Sequence, residues 1–202
     1  MTKNIGIYGG AFDPPHLAHV ALAQAAVAQF QLDGLLVIPT GDAVHKRRPL
    51  SPGYHRLAMA QLAFADSAKT QVDPREINRG GASYTIDTLR ELKSEYPDAQ
   101  FTLIVGQDQL TAFHTWRNYA DILSQARLAV ALRGGTIMVS PEIPFTHIDY
   151  LPRPMSSSDV RQMVRVQDAQ FATKINPSVA AYIQEHQLYA SGTSLNLSSY
   201  SS

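Results

Sequence analysis

Apolar residues recur along the chain in two spacings, which predict two kinds of secondary structure. Short continuous apolar runs predict buried strands, and longer stretches with a helical period predict helices. The predicted strands are Lys3–Tyr8, Leu35–Pro39, Thr70–Asp73, Phe101–Val105, Leu128–Leu132 and His147–Tyr150. The predicted helices between them are Leu17–Phe30, Pro52–Ala65, Thr85–Glu95 and the shorter Trp116–Ser124.

The order of these elements indicates the fold class. Strands that alternate with helices are joined by right-handed crossovers, so they form a mostly parallel sheet with helices on both faces. We therefore expect a Rossmann-like, doubly wound α/β fold. In such a sheet, ligands bind at the carboxyl ends of the strands, where the strand order reverses.

The final third of the chain has a different pattern. Two helices without a strand between them are predicted over Ser156–Val166 and Pro177–Glu185, the second with Asn176 as its N-cap. We expect a single domain over residues 1–190, of which residues 155–190 form a small C-terminal helical part. Residues 191–202 are rich in serine and almost uncharged, and we expect a disordered tail there.

The composition narrows the class of protein. The 202 residues include 17 basic and 17 acidic side chains, a balance that does not favour a nucleic-acid partner. The chain has no cysteine, which excludes disulfides and thiolate metal sites. No apolar signal segment precedes the first strand and no apolar run reaches membrane-spanning length, so we expect a cytoplasmic protein without a membrane partner. The sequence does not determine the oligomeric state, and a homo-oligomer is compatible with it.

The segment after the first predicted strand carries the most specific chemistry. It reads Gly-Gly-Ala-Phe-Asp-Pro-Pro-His-Leu-Ala-His over residues 9–19 and leads into the first helix. Backbone N–H groups at a helix start bind phosphate, and glycines let the phosphate approach that backbone. His16 and His19 are three positions apart, so both imidazoles can face the same side of the first turn. This combination suggests chemistry on a phosphoryl group.

A second string, Met-Ser-Ser-Ser-Asp-Val-Arg over residues 155–161, lies at the start of a predicted helix. Its hydroxyl groups can simply cap that helix, which is the simpler interpretation of the string taken alone. The alternative is phosphate binding, with Arg161 about one turn along to neutralise the charge. The histidine pair also has simpler interpretations, as packed side chains or as half of a metal site, although no third ligand lies nearby in sequence.

Two further segments follow predicted strands or open predicted helices. Lys46 belongs to the basic cluster His-Lys-Arg-Arg over residues 45–48, which is either a solvated loop or a contact to phosphates. Tyr84 and Thr85 open the third predicted helix, where the simpler interpretation is a helix cap.

The fourth predicted strand is followed by Gly-Gln-Asp over residues 106–108 and then by Trp116, the only tryptophan. The carboxylate of Asp108 could accept hydrogen bonds from ribose hydroxyls or from a metal-bound water. A single tryptophan is usually a packing residue, but at the ligand edge its face could stack on a flat heteroaromatic ring.

These strings resemble known family signatures. Residues 9–19 resemble the nucleotidyltransferase signature, a Gly-rich turn followed by His-x-x-His, and residues 155–161 resemble the second signature of that superfamily. Ala11 and Ala18 replace the usual Ser or Thr and the usual Gly, in both cases with a small side chain. The Ser-Tyr-Thr string over residues 83–85 and the Gly-Gln-Asp…Trp arrangement narrow the resemblance to the bacterial nicotinate-nucleotide adenylyltransferases.

The resemblance implies adenylyl transfer from ATP to nicotinate mononucleotide, giving deamido-NAD and pyrophosphate in NAD biosynthesis. It implies Mg²⁺ bound through the ATP phosphates and not in a dedicated protein site. The catalytic residues that it implies are His16, His19 and Arg161. It implies ATP contacts from Gly9, Gly10, Ala11, Phe12, Lys46, Gly106, Asp108, Ser156 and Ser157, and acceptor contacts from Asp13, Tyr84, Thr85 and Trp116.

Two alternatives remain at this stage. One is a sibling enzyme with another acceptor, such as nicotinamide mononucleotide, phosphopantetheine or a cytidylyltransferase substrate. The other is a nucleotide-binding module without catalysis, for which Ala11 and Ala18 are the only support.

Overall fold

The computed structural model describes residues 2–41, 50–132, 143–151 and 154–190. In this part of the chain, six strands form one sheet in the order β3-β2-β1-β4-β5-β6, and every neighbouring pair is parallel. The strands are β1 (Asn4–Gly10), β2 (Gly34–Pro39), β3 (Thr70–Val72), β4 (Gln100–Gly106), β5 (Ala126–Ala131) and β6 (Thr146–His147). The strand order reverses between β1 and β4, so the predicted Rossmann-like fold is confirmed.

Helices cover both faces of this sheet. They are α1 (Leu17–Gln29), α2 (Gly53–Phe64), α3 (Arg75–Arg79), α4 (Thr85–Glu95), α5 (Gln107–Thr111), α6 (Tyr119–Gln125), α7 (Ser157–Arg165) and α8 (Pro177–Glu185). Alternate side chains of a strand point to opposite faces. Accordingly, Leu35 and Val37 of β2 pack in the cluster that contains α1, α2 and α8, whereas Leu36 and Ile38 pack in the cluster that contains α4 and α6.

The C-terminal helical part packs on the α1 side of the sheet. Val160, Val179 and Ile183 are buried in the same apolar cluster as Leu22 and Ala26 of α1. Helix α8 begins as predicted, because the Asn176 side chain accepts a hydrogen bond from the backbone N–H of Ser178 and Pro177 occupies the first position. Among the described residues, no helix is long and apolar enough to cross a membrane.

Several boundaries predicted from the sequence are wrong. Strand β1 continues through Gly9 and Gly10, which pair with Ile38 and Pro39, so the glycines end the strand and the turn begins after them. The helix predicted from Trp116 begins instead at Tyr119, because Asn118 adopts a left-handed conformation (φ 53°) that interrupts it.

The edge strand β6 is shorter than predicted and lies earlier, at Thr146–His147, where both residues are exposed. The short helices α3 and α5 were not predicted, because five residues are too few to establish a helical period.

Candidate active site

Two cavities adjoin at the carboxyl ends of β1 and β4. The smaller, of about 260 Å³, is lined by residues that include His16, His19 and Ser157, and we call it the nucleotide cavity. The larger, of about 420 Å³, is lined by residues that include Tyr84 and Trp116, and we call it the acceptor cavity, both names being taken from the ligands that the sequence resemblance implies. The two share one wall, formed by Gly9, Gly10, Ala11, Asp108 and Gln109. Two ligands bound side by side would therefore meet at this wall.

The two glycines of the wall have different surroundings. A Cβ at Gly10 would lie 3.0 Å from the Phe12 ring, so this glycine lets the ring fold back over the strand. A Cβ at Gly9 would have no protein atom within 4 Å, and Gly9 does not have a positive φ. Neither packing nor backbone conformation requires glycine at position 9, and its backbone is open to the shared wall of the two cavities.

Phe12 fixes the turn that follows the glycines. It has a φ of 48°, a left-handed conformation that is unfavourable for a bulky residue. Its buried ring makes edge contacts with Tyr8 and Phe64, at centroid distances of 5.5 and 5.9 Å, and with His19 at 5.2 Å. These contacts hold the strained backbone in place next to the nucleotide cavity.

The two histidines form a stacked pair at the start of α1. Their ring centroids are 3.7 Å apart with planes inclined by 21°, and His16 is buried. The backbone N–H of His16 donates to Nδ1 of His19 at 3.1 Å. Since Nδ1 of His19 is an acceptor, a neutral His19 ring carries its proton on Nε2, which can donate to a phosphate oxygen.

The two predicted signature strings contact each other. The hydroxyl of Ser157 donates to the carbonyl of Pro14 at 2.8 Å, and the guanidinium of Arg161 donates to the carbonyl of Asp13 at 2.6 Å. Ser156 caps α7, because its hydroxyl accepts from the N–H of Asp159 at 3.1 Å. Ser157 lines the nucleotide cavity, whereas Ser156 and Arg161 line neither cavity.

Asp13 is held by protein groups. Its side chain accepts hydrogen bonds from the Tyr189 hydroxyl at 2.7 Å and from the backbone N–H of Ser51 at 3.3 Å. Burial, and then the Asp13 charge, raise the pKa of Tyr189 well above its usual value, which keeps its hydroxyl protonated and donating. Asp13 is 1% exposed and lines neither cavity, so its described contacts serve to hold the turn.

The acceptor cavity contains the predicted Tyr84, Thr85 and Trp116. Thr85 is the first residue of α4, where backbone N–H groups and the helix dipole favour an anionic group. Trp116 packs against Phe113 at a centroid distance of 4.9 Å and is half-buried. The guanidinium of Arg117, which was not predicted from the sequence, lies 4.8 Å from the Tyr84 ring centroid and adds a positive charge to the cavity.

Glu76 was also missed, because a single glutamate in a short helix has no distinctive sequence signal. It lines the acceptor cavity, is only 8% exposed and accepts a hydrogen bond from the Thr88 hydroxyl at 2.8 Å. Burial raises the pKa of its carboxyl group, and hydrogen bonds from Thr88 and Ser83 offset part of this increase.

The remaining predicted residues lie at the sheet edge or outside the described part. Gly106 ends β4 and lines the nucleotide cavity, and its N–H donates to the side chain of Gln109 at 2.8 Å. Lys46 lies outside the described residues. Within residues 2–41, 50–132, 143–151 and 154–190, no three His, Asp or Glu side chains are arranged to hold a metal ion.

The sequence and the structure are similar to those of known proteins. The cytidylyltransferase-like family model matches residues 7–163. A protein of Albidiferax ferrireducens named "Probable nicotinate-nucleotide adenylyltransferase" is 46% identical over 201 residues, covering 93% of this chain and 98% of that protein. A protein of Bordetella avium with the same name is 38% identical, with the same coverage of the two chains.

A solved structure has the same fold. It is described as "Plasmodium falciparum nicotinic acid mononucleotide adenylyltransferase complexed with NaAD", and it superposes with a TM-score of 0.78 at 22% identity, covering 93% of this chain and 97% of that chain. The matched family model spans most of the chain, and the identity to the named relatives extends over nearly their whole length. The chain therefore belongs to the cytidylyltransferase-like nucleotidyltransferases and, within them, to the nicotinate-nucleotide adenylyltransferase family.

Proposed function

We propose that this protein transfers the adenylyl group of ATP to nicotinate mononucleotide, releasing deamido-NAD and pyrophosphate. The observation that carries the proposal is the wall of Gly9, Gly10, Ala11, Asp108 and Gln109 that the two cavities share. One cavity has the stacked histidines and the other has an aromatic ring and a helix start, which fits a nucleoside triphosphate and an aromatic, anionic acceptor. The names of the relatives support the same reaction.

The reaction is an in-line displacement at phosphorus. The 5′-phosphate oxygen of the acceptor forms a bond to the α-phosphorus of ATP while the bond from that phosphorus to the bridging oxygen breaks, and pyrophosphate leaves. Catalysis of such a step rests on positioning and charge stabilisation, without a nucleophilic side chain. His16 and His19 would donate to oxygens on the reacting phosphates, because they lie beside the shared wall.

The second signature would act at the departing end of ATP. Ser157 lines the nucleotide cavity and begins α7, a nine-residue helix whose dipole favours negative charge. Arg161 holds the Asp13 carbonyl and would supply positive charge to pyrophosphate from the same helix. Ser156 would contact ATP through its backbone only, because its hydroxyl caps the helix.

The acceptor would bind with its pyridine ring beside Trp116. The ring carboxylate would meet the backbone N–H groups at the start of α4, close to Tyr84 and Thr85. Arg117 adds a positive charge to this cavity, which favours nicotinate over the uncharged nicotinamide. We assign Asp13 to holding the turn under the reacting phosphates, since it lines neither cavity.

Mg²⁺ would be bound mainly by the ATP phosphates. Asp108 is on the wall shared by both cavities, where its carboxylate would accept hydrogen bonds from water on the metal. A single carboxylate beside the ATP phosphates suits Mg²⁺, because this ion keeps several of its waters when it is bound. The metal would neutralise charge on the phosphates. We place the reaction in the cytoplasm, consistent with a chain that contains no cysteine.

A pyrophosphate-release assay tests the proposal. The purified protein is given ATP or CTP with nicotinate mononucleotide, nicotinamide mononucleotide or phosphopantetheine in separate reactions. We expect release with ATP and nicotinate mononucleotide at a rate at least about tenfold above every other pair, since a site that pairs with a polar group of its substrate rejects analogues without that group by this much or more. A higher rate with another acceptor would indicate a sibling enzyme, and ATP binding without turnover would indicate an inactive module.

A further inference from the structure

We infer that Arg56 is a positioning residue that holds the nucleotide and acceptor sides of the active site in register; the inference rests on the proposed function. Arg56 is in the first turn of α2, is 3% exposed and lines neither cavity. A charged group that is this deeply buried costs stability unless it is fully hydrogen-bonded, so its contacts indicate what it does there.

The Arg56 guanidinium joins three separate segments of the chain. It donates to the carbonyl oxygens of Ala11 at 3.1 Å, Gly41 at 3.1 Å and Ser51 at 2.8 Å. The three donors are the separate nitrogens Nε, Nη1 and Nη2, which are spread over the guanidinium plane, and the single nitrogen of a lysine ammonium cannot occupy all three positions.

On the nucleotide side, Arg56 fixes the direction of one peptide plane. The carbonyl of Ala11 and the N–H of Phe12 point in opposite directions, because the peptide bond between them is planar and trans. Arg56 lines neither cavity, whereas Ala11 lines both and Phe12 lines the nucleotide cavity, so the Ala11 carbonyl is held on a side that the cavities do not reach. Holding the carbonyl of Ala11 backwards therefore aims the N–H of Phe12 towards the cavity, where it would donate to a phosphate oxygen.

On the acceptor side, Arg56 acts through Gly41. The Gly41 carbonyl is bound by Arg56 while its N–H donates to the hydroxyl of Ser83 at 3.1 Å, next to Tyr84 and Thr85. A Cβ at Gly41 would collide with the carbonyl oxygen of Glu76 and lie 2.8 Å from the Ser83 hydroxyl oxygen. Gly41 is thus packed without spare room between the arginine and the turn that opens α4.

Three variants of the full-length protein separate positioning from general stability. Arg56→Lys keeps the charge and loses the three-way contact. Gly41→Ala disturbs the acceptor side directly, because the added methyl group meets Glu76 and Ser83 while the Arg56 side chain and its donor to Ala11 are retained. Ala63→Gly, at a buried position about two turns further along α2, weakens the helix without touching either cavity. For each variant we would measure the melting temperature, kcat, the KM for nicotinate mononucleotide and the Kd for a non-hydrolysable ATP analogue.

For Arg56→Lys we expect kcat per folded enzyme to fall about 10- to 100-fold, because a misplacement of about 1 Å in an active site can cost about 100-fold, with a weaker Kd for the ATP analogue and a raised acceptor KM. For Gly41→Ala we expect a raised acceptor KM with an unchanged analogue Kd, and for Ala63→Gly a lowered melting temperature alone. The inference would be overturned if the Arg56→Lys protein folds and its kcat, acceptor KM and analogue Kd all stay within about threefold of the wild-type values.

If Arg56→Lys does not fold, Gly41→Ala decides, because a normal acceptor KM in that variant contradicts the link. If the wild-type protein releases no pyrophosphate, the proposed function fails by itself. In that case the analogue Kd still tests the nucleotide side: a Kd weakened about tenfold in Arg56→Lys supports the inference and an unchanged Kd contradicts it.

Discussion

The hydroxyl of Tyr189 donates a hydrogen bond of 2.7 Å to the carboxylate of Asp13, a residue 176 positions earlier in the chain. Asp13 lies in the middle of the first signature, and Tyr189 lies just beyond α8, the last helix described. The contact places the C-terminal part directly beneath the turn that forms the nucleotide cavity. The end of the described chain therefore supports the geometry of its beginning.

Removing this hydroxyl is expected to destabilise the protein. In Tyr189→Phe the buried carboxylate of Asp13 loses a donor, which costs about 1.5–3 kcal/mol for a hydrogen bond to a charged group. Urea unfolding measures the change in the free energy of unfolding. Tyr182→Phe is the matched control: its hydroxyl bonds to His55 at a half-buried position, so a loss of about 1 kcal/mol or less is expected. Equal losses in the two variants would contradict a special role for the Tyr189 contact.

Gly9→Ala is expected to impair activity without impairing the fold. A methyl group at position 9 would meet no protein atom within 4 Å but would enter the wall that the two cavities share. We expect the KM for ATP to rise about tenfold or more, because the ligand must move away from the backbone. Gly34→Ala is the control, since position 34 is also in a strand with open space around its Cα but lies outside both cavities. Normal kinetics of Gly9→Ala would show that the space is not used by a substrate.

His19 is expected to be required for the chemical step. In His19→Asn the side-chain oxygen can still accept from the backbone N–H of His16, which preserves the cap of α1, but the Nε2–H donor is lost. We expect kcat to fall by about two to three orders of magnitude, as when a donor to a transition-state oxygen is removed. Steady-state kinetics with thermal unfolding as a control would test this. Turnover close to that of wild type, in a folded variant, would rule out a catalytic His19.

Trp116 is expected to contribute mainly to acceptor binding. Trp116→Ala removes the aromatic face of the acceptor cavity, so the KM for nicotinate mononucleotide should rise about 5- to 100-fold, the range for a lost aromatic stack, with a smaller change in the KM for ATP. Trp116→Phe should restore part of the affinity, because a smaller ring can still stack. If the alanine variant only melts at a lower temperature, Trp116 is a packing residue against Phe113.

The stability of the protein is expected to decrease in mild acid, in part because of His55. Burial, and then the charge of His186, lower the pKa of His55 below its ordinary value of 6.5. The unfolded chain therefore binds a proton at His55 more readily than the folded protein, and the contribution of the neutral ring is lost as the pH falls below about 6.5. His55→Gln should lose less stability than wild type between about pH 7.5 and about pH 5, as measured by urea unfolding. A parallel pH dependence in both proteins would assign the effect to other groups.

Much of the fold could be predicted from the sequence because its strands and long helices have clear periods. The carboxyl ends of the first and fourth strands could also be identified as the site, since ligands bind at the carboxyl ends of such strands and the two informative segments follow them. The wall position of Gly9 and the left-handed Phe12 were less accessible, because a Gly-Gly pair is compatible with a strand end as well as with a turn.

Residues that hold other parts of the site in place, without lining either cavity themselves, were the hardest to predict. Arg56 interrupts the apolar face of α2, and a charge at a buried helical position was the one signal that could have drawn attention to it. Its three carbonyl partners are 5, 15 and 45 residues away, so nothing local in the sequence connects them. The same applies to Asp13, whose partner Tyr189 is joined to it only by the packing of α8.

A crystal structure with a non-hydrolysable ATP analogue and nicotinate mononucleotide tests the central claim most directly. The account predicts the triphosphate against the wall of Gly9 to Ala11, with His16 and His19 within hydrogen-bond distance of its oxygens and the pyridine ring beside Trp116. A nucleotide bound elsewhere, with both imidazoles still enclosed by protein side chains, would contradict it.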